Sequence, residues 1–159
     1  MSAANSPLQE VLARVVAARA AAGAPSGLAV VQVQAFAHQQ SPLHVHDEDE
    51  VVRTLEGSVV VHTTEGAYTV AAGEARVIPL GVPHAVAAGS TGARYLTMSH
   101  VRSAEDYERF VRAVAVPDAC YEPLPEEERA MTLAAEVNGI SVLGPPGTPA
   151  VSAAAAVAA

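Results

Sequence analysis

The stretch that decides the fold reads Pro42-Leu43-His44-Val45-His46-Asp47-Glu48-Asp49-Glu50-Val51-Val52-Arg53-Thr54-Leu55-Glu56-Gly57. On an extended chain alternate side chains share a face, so His44 and His46 emerge on the same side. Glu50 keeps that parity four residues later and joins them if the strand continues or breaks only at a tight turn. Glu48 has the same parity and is the stand-in if the strand bulges. Asp47 and Asp49 read as a solvated turn. His84 lies far along the chain, after the turn-like Pro79-Leu80-Gly81-Val82-Pro83, and would come from an opposing strand. Three imidazoles and a carboxylate suit a borderline divalent metal ion and leave positions open for water or substrate.

Outward from this stretch, the chain between Gly27 and about His100 is a series of short β-rich runs. They read Leu28–Phe36, Leu43–His46, Glu50–Leu55, Ser58–Thr63, Ala67–Val70, Glu74–Ile78, Ala85–Ala87 and Arg94–Ser99, with breaks at glycine-containing pairs such as Glu56-Gly57. Many short strands with frequent turn signals predict an antiparallel, all-β sandwich or barrel over residues 27–101. An N-terminal helix is expected within residues 1–26. Ser6 caps it, Pro7 takes its first position, and Leu8, Val11, Leu12, Val15 and Val16 form its apolar stripe. Residues 102–143 read as a C-terminal segment with two short helices. Ser103 and Asp106 form a capping box ahead of Tyr107, Phe110, Val111 and Val114, and a second helix runs from Pro125 to Val137, stopped by Asn138-Gly139. Ile140–Leu143 is extended, and residues 144–159 form a flexible Pro/Ala-rich tail.

The 159 residues suffice for one domain, and a hydrophobic content of 50% supports a real core. Nine Lys and Arg against 17 Asp and Glu leave a net charge of −8, without the basic footprint of a nucleic-acid or anionic-membrane binder. The single cysteine, Cys120, excludes an internal disulfide framework and a multi-thiolate metal site, and reads as an inert loop thiol rather than a reactive one. No segment has the length and apolarity of a membrane span, so the expectation is a soluble cytoplasmic protein. His38, His62 and His100 read as structural or surface histidines.

The pattern around the first histidines resembles the cupin superfamily. Its first motif, His-x-His, then three residues and Glu, then six and Gly, is met by His44, His46, Glu50 and Gly57. Its second motif is met by Gly73, Pro79, Gly81 and His84. His38 stands where the first motif opens with Gly, and Ala88 where the second closes with Asn; neither is a ligand position. The resemblance implies a six-to-eight-stranded jelly-roll barrel holding one divalent transition metal ion on His44, His46, Glu50 and His84, with iron or manganese first and nickel, copper or zinc as alternatives. The helical segment and Ile140-Ser141-Val142-Leu143-Gly144-Pro145-Pro146 are similar to the tails of bacterial quercetin-dioxygenase-like cupins. That likeness implies a metal-dependent enzyme carrying out dioxygenase-like oxidation of a small enol or polyphenol-like substrate. Glu50 would serve as both ligand and catalytic base. Tyr95, Thr97 and Met98, on the last strand of the barrel, are candidate substrate-binding residues, with the inward parity left open. A homodimer is expected. The alternatives are a non-redox isomerase, lyase or cyclase of a ketone or polyketide-like substrate, and a ligand-binding cupin without turnover.

Overall fold

The computed structural model describes residues 27–114 and 125–150. The N-terminal helix read within residues 1–26, Cys120 and residues 151–159 lie outside the described residues. In chain order the elements are β1 (Gly27–Ala35), β2 (Leu43–His46), β3 (Glu50–Thr63), β4 (Gly66–Ala71), β5 (Ala75–Ile78), β6 (His84–Val101), α1 (Ala104–Val114), α2 (Pro125–Val137) and β7 (Ile140–Gly144). Every strand pairing is antiparallel.

Two long strands organise this fold, and they correct the reading of eight short ones. The runs on either side of Glu56-Gly57 are a single strand, β3, and those on either side of Ser90-Thr91-Gly92 are a single strand, β6. The two pair along most of their length, from Glu50↔Ser99 to Thr63↔His84, with register shifts on both sides of Gly57. Those glycines do not reverse the chain; they bend a continuous ribbon. Gly57 has φ 70° and Gly92 φ 79°, and a Cβ on Gly57 would overlap the Gly92 carbonyl. Glycine is therefore required there both for the backbone angle and for the close approach.

The ribbon folds over at this corner into two facing layers, as strands that switch sheets through bulges do. One layer has the order β1-β6-β3-β5 and the other β7-β2-β6-β3-β4. The interior between them holds Val31, Val33, Val52, Val59, Val61, Val70 and Ile78, each at most 4% exposed. Strand β1 shows the period directly: Ala29, Val31, Val33 and Ala35 are buried, while Leu28 and Val30 face outward. The result is the antiparallel jelly-roll barrel that the sequence predicted.

The C-terminal segment closes one end. Ser103 caps α1 by accepting a bond from the Asp106 N–H at 3.2 Å, and Tyr107, Phe110 and Val111 are buried. Gly139, at φ 69°, ends α2. The Asn138 side chain accepts the N–H groups of Arg102 and Ser103 at 2.8 Å each and donates to the Ser103 carbonyl at 2.9 Å. This ties the end of α2 to the start of α1. Strand β7 pairs with β2, placing Ile140 opposite His46 and Val142 opposite His44. The segment Pro145–Ala150, read as part of a flexible tail, instead makes a turn in which the Thr148 N–H donates to the Pro145 carbonyl at 3.1 Å, and Ala150 is buried with Leu43.

Candidate metal centre

Four buried side chains from three strands converge at the open tips of the folded ribbon. His44 and His46 project from one face of β2, Glu50 opens β3 and His84 opens β6. They are 3%, 5%, 5% and 1% exposed. Glu50 and His84 belong to opposite layers, yet Glu50 Oε2 lies 2.9 Å from His84 Nε2 and 3.1 Å from His46 Nε2. The His44 ring centroid is 4.4 Å from that of His84 and 5.0 Å from that of His46. Glu50, rather than Glu48, is therefore the carboxylate that meets the imidazoles. Asp47 and Asp49 are exposed and hold the loop: Asp47 pairs with Arg102 at 2.8 Å, and Asp49 accepts the Leu80 N–H at 2.9 Å.

The backbone orients the rings. His44 Nδ1 lies 2.8 Å from the Pro42 carbonyl and His84 Nδ1 2.8 Å from the Val82 carbonyl, in each case two residues back along the chain. A carbonyl only accepts, so each Nδ1 carries the proton and each Nε2 faces the centre. His46 Nε2 is buried with no hydrogen-bond partner, its 3.1 Å approach to Glu50 being poorly aligned. An orphaned buried nitrogen is costly unless something else satisfies it. One potential donor atom from each of the four residues lies within 4.8 Å of the others. A shared ion bonded at about 2.0–2.2 Å sets donors no more than about 4.4 Å apart, which is close to this spacing. The residues thus fit a divalent metal ion, with three nitrogens and one oxygen as ligands and carbonyl-anchored imidazoles behind them.

The electrostatics follow from burial and mutual charge. Burial first, then the charges of His84 and His46, pull His44 down from 6.5 to about 3, so it is neutral and ready to ligate. His46 is lowered, by burial above all. Burial works to raise Glu50, but His46, His84 and His44 outweigh it and hold its carboxyl well below the usual carboxylate range. His84 is opposed by burial yet raised overall by its bond to Glu50. The same contact favours a proton on His84 and the negative charge on Glu50.

The structure places the three pocket candidates differently. Thr97 pairs with Val52 and Val31 on the interior face, and its hydroxyl donates to Glu50 Oε1 at 2.5 Å. Tyr95 shares that face two residues earlier, packed against the core. Met98 has the opposite parity, beside Val30 and Val51 on the outer face, and is 4% exposed. His38 is exposed, His62 half-buried and His100 buried beside Leu28 on β1, all outside the cluster. Two residues of α1 that the sequence reading treated as ordinary packing belong to the surroundings of the site. The Phe110 ring stands edge-on to His44 with centroids 5.6 Å apart, and the Tyr107 hydroxyl lies 2.9 Å from that of Thr97. A helical stripe gives no sign of which of its members reaches a polar partner.

Residues 32–99 match the model of the cupin domain family. No curated protein matches the chain in sequence. Among solved structures, a conserved protein of unknown function from Streptococcus pyogenes is 25% identical, with a TM-score of 0.43, over 46% of this chain and 63% of that one. A sugar phosphate isomerase of the cupin superfamily from Silicibacter pomeroyi is 24% identical, with a TM-score of 0.43, over 52% and 55% of the two chains. A DMSP lyase from Ruegeria pomeroyi is 22% identical, with a TM-score of 0.44, over 50% and 41%. The match thus spans less than two thirds of the Streptococcus protein's length, and TM-scores below 0.5 say nothing about activity. The family match over residues 32–99, the two motifs and the folded ribbon that brings their ligands together agree on the cupin domain family as the one this chain is similar to.

Proposed function

We propose that this protein is a metal-dependent enzyme that holds one divalent transition metal ion on His44, His46, Glu50 and His84 and oxidises a small enol or polyphenol-like molecule in a dioxygenase-like reaction. The observation that carries the metal reading is the unpartnered Nε2 of His46, buried among three other donors. A redox-active ion such as iron or manganese would polarise a substrate oxygen and exchange electrons with dioxygen at its open positions.

The protein's own residues prepare that chemistry. Pro42 and Val82 fix two imidazoles through their carbonyls. Phe110, Val52, Ile78 and Ile140 are buried, making the interior near the ligands apolar and restricting water. Glu50 is anionic and engaged at both oxygens, at Oε1 by Thr97 and at Oε2 by His84. To serve as a base it must release at least one of these partners, which makes ligation its resting role. A homodimer belongs to the same proposal: β1 borders only β6 among the described strands and exposes Leu28 and Val30 outward. Light scattering tests it. No helix among the described residues is long and apolar enough to cross a membrane.

The deciding experiment loads the purified chain in turn with iron, manganese, nickel, copper or zinc and follows oxygen uptake with enol substrates. Uptake only with a redox-active ion supports the proposal. Product formation with zinc under anaerobic conditions replaces it with isomerase, lyase or cyclase chemistry. Tight ligand binding without turnover under any ion makes the chain a binding module.

A further inference from the structure

Glu50 is not held by the histidines alone. Its Oε1 accepts a 2.5 Å bond from the Thr97 hydroxyl, within the range of a charge-assisted bond to a carboxylate. The register explains the reach: Glu50 pairs with Ser99, so Thr97 is its diagonal neighbour on the same interior face. A threonine hydroxyl has one proton, and here it goes to the carboxylate. The Tyr107 hydroxyl, 2.9 Å from Thr97 Oγ1, must then donate to Thr97 rather than accept from it. Tyr107 is 1% exposed and Thr97 3%, so water does not substitute for either bond. The three residues come from β3, β6 and α1. Each donor in such a chain polarises the next.

We infer that Tyr107 and Thr97 form a one-way hydrogen-bond relay that positions Glu50, reserving Oε1 so that the carboxylate meets the metal through Oε2 alone. An untied carboxylate can rotate or bind an ion through both oxygens, and either movement occupies coordination space that a substrate needs. Helix α1, through Thr97 on β6, therefore sets the denticity of a ligand on β3. Thr97 and Tyr107 are positioning residues, and this inference rests on the metal reading above.

Cobalt(II) is the probe, because its visible absorption reports coordination number and geometry. The full chain is compared with Thr97→Val, Thr97→Ser and Tyr107→Phe. The relay predicts altered cobalt bands and about 10- to 100-fold weaker cobalt binding in Thr97→Val, as loss of a partner behind a ligand typically gives. Tyr107→Phe shifts the bands in the same direction by less. Thr97→Ser, which keeps the hydroxyl, retains the wild-type spectrum. A packing role for Thr97 reverses the order, making Ser the harmful change and Val the benign one; that result overturns the inference. Unchanged bands and affinity in Thr97→Val also overturn it. If Thr97→Val does not fold by circular dichroism, unchanged bands in Tyr107→Phe are decisive against it. Wild-type uptake of one cobalt, lost in His46→Ala, checks the metal reading separately. A wild-type chain that takes up no cobalt overturns both.

Discussion

The two legs of the β3–β6 ribbon have the same backbone design and differ in how many polar side chains they turn inward. In the leg Glu50–Glu56 with Arg94–Ser99, Val52 and Tyr95 share the inward face with Glu50, Thr54, Thr97 and Ser99, four buried polar side chains. In the leg Ser58–Thr63 with His84–Ala88, the inward side chains include Val59, Val61, Val86 and Ala88, and the polar exceptions are at the tip, the buried His84 and its half-buried partner Thr63. Each polar member of the first leg has a partner: Thr54 donates to the Val70 carbonyl at 2.9 Å, and Ser99 to the Asp49 carbonyl at 2.9 Å. One wall thus supplies and orients charge while the other supplies hydrocarbon. Facing each other, they give a centre in which a charge is felt strongly because little water can screen it.

The largest effect expected from this contrast is on metal retention. His46→Ala removes a nitrogen at the tip of the ribbon, and the variant should lose its ion on dialysis, whereas His62→Ala, outside the cluster, should keep it. Metal analysis after dialysis decides, and full content in His46→Ala breaks the assignment of the site. Next comes acid sensitivity without an ion. The folded-state value of His44 is depressed from 6.5 to about 3, so its contribution to stability is present above pH 6.5 and is lost as pH falls toward 3. The raised His84 is protonated in both folded and unfolded chains below pH 6.5 and adds no slope in that window. Thermal melts of the metal-free protein should therefore fall steadily between pH 6.5 and pH 3. Flat melting temperatures over that range mean that the site opens to water before it titrates.

How much of this was legible beforehand divides along the same line. His44, His46 and Glu50 stood out because a two-residue spacing on a strand, with a carboxylate in matching parity, is local information, whereas His84 joined them through the resemblance to the cupin motifs. Their meeting point was not, because it depends on the corner at Gly57 and Gly92, where a Glu-Gly pair has the same letters as a tight turn. What separates bend from turn is the partner strand carrying its own glycine at the same height, a relation between positions 35 residues apart. The Tyr107–Thr97 contact was hidden for a similar reason: a buried tyrosine in a helical stripe looks the same whether or not its hydroxyl finds a partner. The helix boundaries, set by Ser103 and by Asn138-Gly139, were visible because capping is chemistry within a few residues.

The corner offers a sharper test of the two-leg design. Gly73→Ala meets no atom within 4 Å and suffers only its positive φ of 87°, which costs about 1–2 kcal/mol. Gly57→Ala adds overlap with the Gly92 carbonyl, which backbone on both sides prevents from moving aside. Denaturant melts should show Gly57→Ala as clearly the more destabilised, and its metal affinity should fall because the tips no longer close. Equal losses in the two variants would mean that the ribbon tolerates a wider corner.

The smallest expected effect lies outside the ligand set, on the apolar leg. His38 has φ 62°, a left-handed conformation that a side chain disfavours, and it stands where the family's motif opens with glycine. Its N–H donates to the Gly89 carbonyl at 3.3 Å, and the following residues continue alongside β6, the Ala88 N–H donating to the Gln39 carbonyl at 2.8 Å. His38→Gly keeps these backbone bonds and relieves strain of about 1–2 kcal/mol. Part of that gain is lost to the greater freedom of glycine in the unfolded chain. The net expectation is about 1 kcal/mol of added stability in urea melts, with unchanged metal affinity because the change stabilises the hydrocarbon wall and leaves the donor set alone. A loss of stability would show that the imidazole of His38 makes a contribution larger than its backbone strain. A gain accompanied by tighter metal binding would show that the two legs are energetically coupled through the corner, so that rigidity in one is transmitted to the ligands at the tip of the other.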